Sequence, residues 1–240
     1  MSDADATDAP AGPLLTTVVS DFGGVLTTPL WEAFAAVQEE FGIPPEALGR
    51  AMAAVTEREG RNPLHELEVG RLGEERFYGM LGDQLGADLG RPIEFHAFPE
   101  LYFRALAPNA ELIAELAALR GAGYRMGMLT NNVREWEPRW RAMLPVDEIF
   151  EVVVDSAFVG MRKPDPEIYA LTCERLGVAP HECVFIDDFP HNCDAAAALG
   201  MTAVRFETTE QVLRELRAHL AARGAPPLAA ATPRVEDPGP

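Results

Sequence analysis

Apolar positions along this chain fall into two textures. Residues 14–20 form a short β-branched run, Leu-Leu-Thr-Thr-Val-Val-Ser, without alternation. That is the pattern of a strand covered on both faces. It stops at Asp21, and Gly23 and Gly24 follow as a turn. Residues 31–41, 45–58 and 74–85 then carry helical patterns. Gly42, Pro44, Gly60, Pro63, Gly70 and Gly73 separate them, and no strand-like run interrupts. From Pro108 the texture changes to strands alternating with helices. Residues 109–120 put Leu112, Ile113, Leu116 and Leu119 on one helix face, closed by Gly121 and Gly123. Strand-like runs recur at 124–129, 150–154, 183–186 and 202–206. Between and after them, Asp165 and Pro166 open a helix that Gly177 ends, and residues 195–199 form another ending at Gly200. Thr208 and Gln211 form a capping box for a last helix with Leu213, Leu216 and Leu220 inward.

Strands alternating with helices predict a Rossmann-like, mostly parallel α/β sheet. The helical stretch predicts an all-helical cap subdomain inserted after the first strand. The expected division is an α/β core of residues 14–29 and 107–223 and a cap of residues 30–106. Residues 1–13 and 224–240, small and rich in Ala and Pro, read as disordered tails.

Composition narrows the function. With 48% hydrophobic and 24% charged residues in 240, a sizeable core is available. Lys and Arg number 20 against 38 Asp and Glu, a formal charge of −18. Nucleic-acid and anionic-membrane surfaces are disfavoured partners for such a chain. No apolar run approaches the ~20 residues of a membrane span. The first residues have neither the basic start nor the apolar stretch of a signal peptide. Cys173, Cys183 and Cys193 lack metal-ligand spacing and read as reduced thiols, so a cytoplasmic protein is expected. The expected partner is a small molecule, and oligomeric state is not legible.

Ligands of open parallel sheets bind beyond the carboxyl ends of the strands. The first strand delivers Asp21, and the second delivers Thr130, Asn131 and Asn132. A later loop carries Lys163 before Pro164, and the strand at Cys183 delivers Asp187 and Asp188. Singly, each has an ordinary role as helix cap, turn or surface charge. Together they suit phosphoryl transfer. One carboxylate can act as a nucleophile, others can hold Mg²⁺, and a lysine and a hydroxyl can bind phosphoryl oxygens.

Four motifs in this order resemble the haloacid dehalogenase-like hydrolase superfamily, in its helical-cap branch: Asp21-Phe22-Gly23-Gly24-Val25, Leu129-Thr130-Asn131, Lys163-Pro164-Asp165-Pro166 and Ile186-Asp187-Asp188. Leu67-Glu68-Val69-Gly70 and Glu75-Arg76-Phe77 resemble its cap, and the likeness spans about residues 15–222. It implies a Mg²⁺-dependent phosphatase of a small phosphorylated metabolite, working through an aspartyl-phosphate. Asp21 is then nucleophile and metal ligand, the Gly23 carbonyl a second ligand, Asp188 a direct ligand and Asp187 a ligand through water. Thr130 and the Asn131 amide hold phosphoryl oxygens. Lys163 compensates charge between Asp21 and the phosphoryl group, and Asn192 supports the metal loop.

One departure stands out. Phosphatases of this family carry an aspartate two residues after the nucleophile, to protonate the leaving group and activate water. Here that residue is Gly23. General acid–base help is worth about 10²- to 10⁴-fold. Three outcomes stay open. Either the substrate has a leaving group that needs little protonation, as in anomeric sugar, acyl or aryl phosphates. Or a cap residue supplies the proton, the candidates being His65, His96, Glu66 and Glu68. Or the protein only binds a phospho-ligand or a partner. The enzymatic competitor is a 2-haloacid dehalogenase, in which the aspartate attacks carbon without a metal; Lys163 and Tyr169 suit either reading. Asp187 and Asp188 argue against it, because they would repel a carboxylate substrate. So does the distance along the chain to Arg50, Arg58 and Arg61. Tyr169 reads more simply as core. Thr27, Thr28 and Trp31 are candidates to face the substrate, Trp31 with packing between cap helices as its alternative, and Glu32 meets either sugar hydroxyls or only solvent. Trp136 and Trp140 form either a binding edge or one face of a packed helix.

Overall fold

A computed structural model describes residues 14–95 and 97–224. Five parallel strands form one sheet: β1 (Thr17–Ser20), β2 (Arg125–Thr130), β3 (Val152–Asp155), β4 (Cys183–Asp187) and β5 (Thr202–Arg205), in the order β3-β2-β1-β4-β5. β1 is central. Val19 sits opposite Gly127 of β2 and Phe185 of β4. Every residue of β1 and β4 is buried, which is why these runs do not alternate in polarity. Successive side chains still point to opposite faces. Val18 joins one apolar cluster, and Val19 joins the other with Leu129, Ile168, Leu176 and Phe185.

Between β1 and β2 lie α1 (Leu30–Glu40), α2 (Pro45–Glu59), α3 (Pro63–Glu68), α4 (Glu74–Leu89) and α5 (Phe98–Ala105). Then come α6 (Ala110–Gly121), α7 (Glu137–Arg141), α8 (Val146–Ile149), α9 (Ser156–Val159), α10 (Pro166–Leu176), α11 (Pro190–Ala198) and α12 (Thr209–Arg223). The inserted helices share Val18's cluster, which continues from Phe22 and Leu26 to Val37, Leu81 and Phe98. The neck of the insertion is a short antiparallel contact in which Thr28 N donates to Ala107 O (2.8 Å) and Asn109 N to Leu26 O (2.9 Å). Both threonines serve it. Thr27 Oγ1 accepts from Gly24 N (3.0 Å), and Thr28 Oγ1 accepts from Ala107 N (3.1 Å).

Helices α1, α2 and α4 occupy the stretches that the periodicity marks. Two of the inserted helices escape it: α3, six residues capped by the Asn62 side chain, and the eight-residue α5. Short segments supply too few turns for a 3.6-residue period to emerge. The first strand is shorter than its apolar run, since Leu15 makes only an isolated bridge to Gly224. Phe150 belongs to the end of α8 rather than to β3. Pro166 does open α10, but the Asp165 side chain makes no capping hydrogen bond. The Thr208–Gln211 capping box is present. Residues 1–13 and 225–240, which cover nearly all of the expected tails, and His96 lie outside the described residues. Among the described residues no helix is long and apolar enough to cross a membrane.

Candidate active site

The rim at the carboxyl ends of β1, β2 and β4 carries the expected groups. Asp21 follows β1 directly, its N–H donating to Ile186 O of β4 (2.8 Å). Asp187 is the last residue of β4. Lys163 arrives on the loop before α10, and Asn131 fixes it. Lys163 N donates to Asn131 Oδ1 (2.8 Å), and Asn131 Nδ2 donates to Lys163 O (2.9 Å). The Asn131 side chain therefore positions the lysine loop. Thr130 ends β2 and is buried.

Lys163 is 1% exposed. Its Nζ donates to Asp187 Oδ2 (2.6 Å) and forms an ion pair with Asp21 Oδ1 (2.8 Å), the latter outside hydrogen-bond geometry. Burial works against the ammonium, and the two carboxylates outweigh it, so its pKa is raised and it stays charged. Asp187 Oδ1 accepts from Phe189 N and Asn192 Nδ2, both at 2.9 Å. Both oxygens of Asp187 are thus engaged by the protein. The expected support from Asn192 is present, and it is aimed at Asp187.

Asp21, Asp187 and Asp188 bring carboxylate oxygens within 4.8 Å of one another. Three carboxylates face one ammonium. Burial first, and then the neighbouring acids, push Asp21 up to about 7 against the pull of Lys163. Burial and Asp187 push Asp188 up to about 6. Asp188 Oδ1 is buried without a protein partner. Gly24 lies at φ +77°, and a Cβ there would meet Asp188 Oδ2 at 2.6 Å, so only glycine admits this approach. An orphaned buried oxygen and excess negative charge in a hard-oxygen cluster fit a divalent cation such as Mg²⁺.

Gly23 has a neighbour that explains part of its character. A Cβ built on it would lie 2.9 Å from Leu30 Cδ1, so a leucine of α1 fills the space a side chain there would need. Above Asp21 opens a cavity of about 670 Å³ between rim and inserted helices. Asp21, Gly23, Thr130, Asn131 and Lys163 line its floor. Of the candidate proton donors among the described residues, His65 and Glu68 line it. Glu68 is ion-paired with Arg162 (2.7 Å), and burial and Arg162 hold the His65 pKa below its ordinary value. Glu66 instead pairs with Arg71 (2.9 Å) outside the lining.

Trp31 stands 69% exposed at the cavity, so it is not packed in the core. Trp136 lines the cavity and donates Nε1–H to Glu74 Oε1 (2.7 Å). Trp140 is fully buried against Phe22, so the pair divides between cavity and core. Tyr169 is core, its hydroxyl donating to Asn192 O (3.0 Å). Arg50, Arg58 and Arg61 are absent from the lining, whereas Arg162, Phe189 and His191 belong to it. Sequence reasoning passed over Arg162, Phe189 and His191, although each lies within three residues of a motif.

A family model described as haloacid dehalogenase-like hydrolase matches residues 15–200. The chain is 30% identical to a glyceraldehyde 3-phosphate phosphatase of Methanopyrus kandleri, over 68% of this chain and 76% of that one. It is 28% identical to a sesquiterpene phosphatase of Aspergillus oryzae, over 83% and 93%. It also matches the bifunctional epoxide hydrolase 2 of Mus musculus at 27% identity over 84% of its own length, spanning only 38% of that protein. Of mouse acyl-CoA dehydrogenase family member 10 it spans 10%. Among solved structures, a HAD family enzyme of Bacteroides thetaiotaomicron in complex with magnesium and inorganic phosphate superposes with a TM-score of 0.61 at 21% identity, over 81% of this chain and 96% of that one. The fold, the order of the motifs and the family match agree: the chain belongs to the haloacid dehalogenase-like hydrolase family.

Proposed function

We propose that the protein is a phosphatase of a small phosphorylated metabolite, with Asp21 as nucleophile and Mg²⁺ as cofactor. The observation that carries this reading is the buried Asp21–Lys163–Asp187 arrangement beside the orphaned Asp188 oxygen. Asp21, Asp188 and the Gly23 carbonyl would hold Mg²⁺, which when bound neutralises phosphoryl and carboxylate charge.

Residues 30–106 act as a cap over the site. Thr130 and the Asn131 amide hold phosphoryl oxygens, and Lys163 balances their charge. An oxygen of Asp21 attacks phosphorus, and the bond from phosphorus to the ester oxygen breaks. The electron pair leaves on that oxygen, which takes a proton from water. The hydroxide left by that proton then attacks phosphorus of the aspartyl-phosphate, releasing the Asp21 carboxylate and hydrogen phosphate. Ester and water have become alcohol and phosphate.

With Gly23 and Leu30 where an acid would stand, rate depends strongly on the basicity of the leaving oxygen. The phosphatases of glyceraldehyde 3-phosphate and of a sesquiterpene among the relatives support the reaction class. A dehalogenase fits less well. Its carboxylate substrate would meet three carboxylates, and Arg162 is already paired with Glu68. The test is phosphate release from a panel of phosphomonoesters, with Mg²⁺ and with EDTA. Release abolished by EDTA and by Asp21→Asn is expected. Silence across the panel in folded protein would overturn the reading.

A further inference from the structure

The floor of the cavity accounts for a phosphoryl group. Its walls have no role yet. Phe34, Met52, Leu64, Phe77, Phe98 and Trp136 are among them, drawn from α1 to α5 and from the turn before α7. Among the described cap residues that line it, the polar side chains are His65, Glu68 and the ring-borne groups of Trp31, Tyr78 and Tyr102. Glu68 is spent on Arg162, and the Asn131 side chain on the backbone of Lys163. A sugar carrying several hydroxyls would find few partners there, and an unbonded hydroxyl against hydrocarbon is costly.

Two further observations point the same way. Leu30 brings hydrocarbon to the edge of the nucleophile, at the position of the missing acid. At the rim, Trp31 from α1 and Phe189 from the loop after β4 are 69% and 47% exposed, yet both line the cavity. Large apolar side chains left in water on both sides of one cavity are unexplained by packing, and they suit an apolar ligand passing between them. Among the described lining residues, Lys163 brings one ammonium to the floor beside Asp21, and the Arg162 guanidinium is held away by Glu68, which matches one phosphoryl group rather than two.

We infer that the substrate is a monophosphate ester with a hydrocarbon tail, aliphatic or aromatic, which lies in the cap cavity while its phosphoryl group meets Asp21. This inference rests on the phosphatase reading. A cavity of about 670 Å³ falls in the range of small-molecule sites, so the tail is that of a medium-sized lipid or isoprenoid-like alcohol. Burying each methylene raises kcat/KM about fourfold until the cavity is full.

The experiment compares methyl, butyl and octyl phosphate with glycerol 3-phosphate and glucose 6-phosphate, below micelle-forming concentrations. Binding of methyl- and octylphosphonate is followed in parallel by tryptophan fluorescence, since Trp31 and Trp136 line the cavity. The expected result is a kcat/KM for octyl phosphate more than a hundredfold above that for butyl phosphate, with the sugar phosphate poorest and octylphosphonate binding far tighter than methylphosphonate. Met52→Gln is expected to compress the octyl-to-butyl ratio. Phosphate release that depends on Asp21 but is indifferent to chain length would overturn the tail site and leave the phosphatase standing. Tight octylphosphonate binding without release from any ester would contradict the phosphatase and leave the tail site standing.

Discussion

The rim of the sheet and the underside of the cap meet in one cavity and are built on opposite principles. At the rim a few polar groups are held by mutual hydrogen bonds. Lys163 lies between Asp21 and Asp187, Asn131 clamps its backbone, and Asn192 and Phe189 N engage the far oxygen of Asp187. Removing one member strands the rest. Under the cap, many apolar side chains share one surface. A reaction needs a few atoms in fixed places, whereas recognition of a hydrocarbon needs area. The rim is therefore expected to be brittle to substitution and the cap to be graded.

The largest effect belongs to Asp21, the proposed nucleophile. Asp21→Asn is expected to lower phosphate release by about 10⁴-fold or more while circular dichroism stays unchanged. Lys163→Met tests the network as structure. It leaves the rim's buried carboxylates without their ammonium, and urea unfolding in EDTA is expected to show a loss of about 3–5 kcal/mol. A wild-type midpoint for Lys163→Met would mean that the rim is not a cooperative unit.

Gly23→Asp combined with Leu30→Ala addresses the boundary between the two regions. A Cβ at Gly23 would lie 2.9 Å from Leu30 Cδ1, so the leucine must move for the new side chain, and Leu30→Ala clears the space outright. The double variant is expected to gain about 10²-fold on alkyl phosphates and to flatten the dependence of rate on leaving-group basicity. An equal gain from Gly23→Asp alone would show that Leu30 does not guard the position.

Asp155 sharpens the comparison from another side. It also ends a strand, β3, yet its Oδ1 only caps α9 at Ala157 N (2.9 Å), and its Oδ2 is buried without a partner. Burial pushes its pKa up to about 6. The native state therefore holds this proton over a range where the unfolded chain has lost it, and stability falls as pH rises from about 4 through about 6. Asp155→Asn keeps the cap and cannot ionise. It is expected to unfold about 1–3 kcal/mol harder than wild type at pH 8 and to match it near pH 4. An unchanged difference across that range would contradict the assignment. The smallest effect is Trp31→Ala at the exposed rim. Its stability is expected to stay within about 0.5 kcal/mol of wild type, while the octyl-to-butyl ratio of kcat/KM falls.

The two regions also differ in how far they can be read from the chain. The rim is legible because its residues sit at strand ends and strands announce themselves as apolar runs. Asp21, Thr130, Lys163, Asp187 and Asp188 each follow such a run or lie beside a Pro or Gly signal. The partners of those residues are less legible. Nothing in the spacing shows that Asn131 clamps the Lys163 backbone, because that bond joins loops 32 residues apart. The cap cavity is hidden for a different reason. Phe34, Met52 and Phe98 have the polarity of core residues, and only the packing of five helices decides which apolar faces close on each other and which leave a space. Trp31 shows this most plainly: the same side chain fits packing or rim in the sequence, and its exposure decides for the rim.

The most direct test joins both regions in one assay. Steady-state phosphate release would be measured from octyl phosphate and from glucose 6-phosphate, with Mg²⁺, for wild type and for Asp21→Asn. Fast release from the octyl ester, little from the sugar ester, and none from either in the variant are expected. Release that survives Asp21→Asn, or that favours the sugar ester, would contradict this expectation.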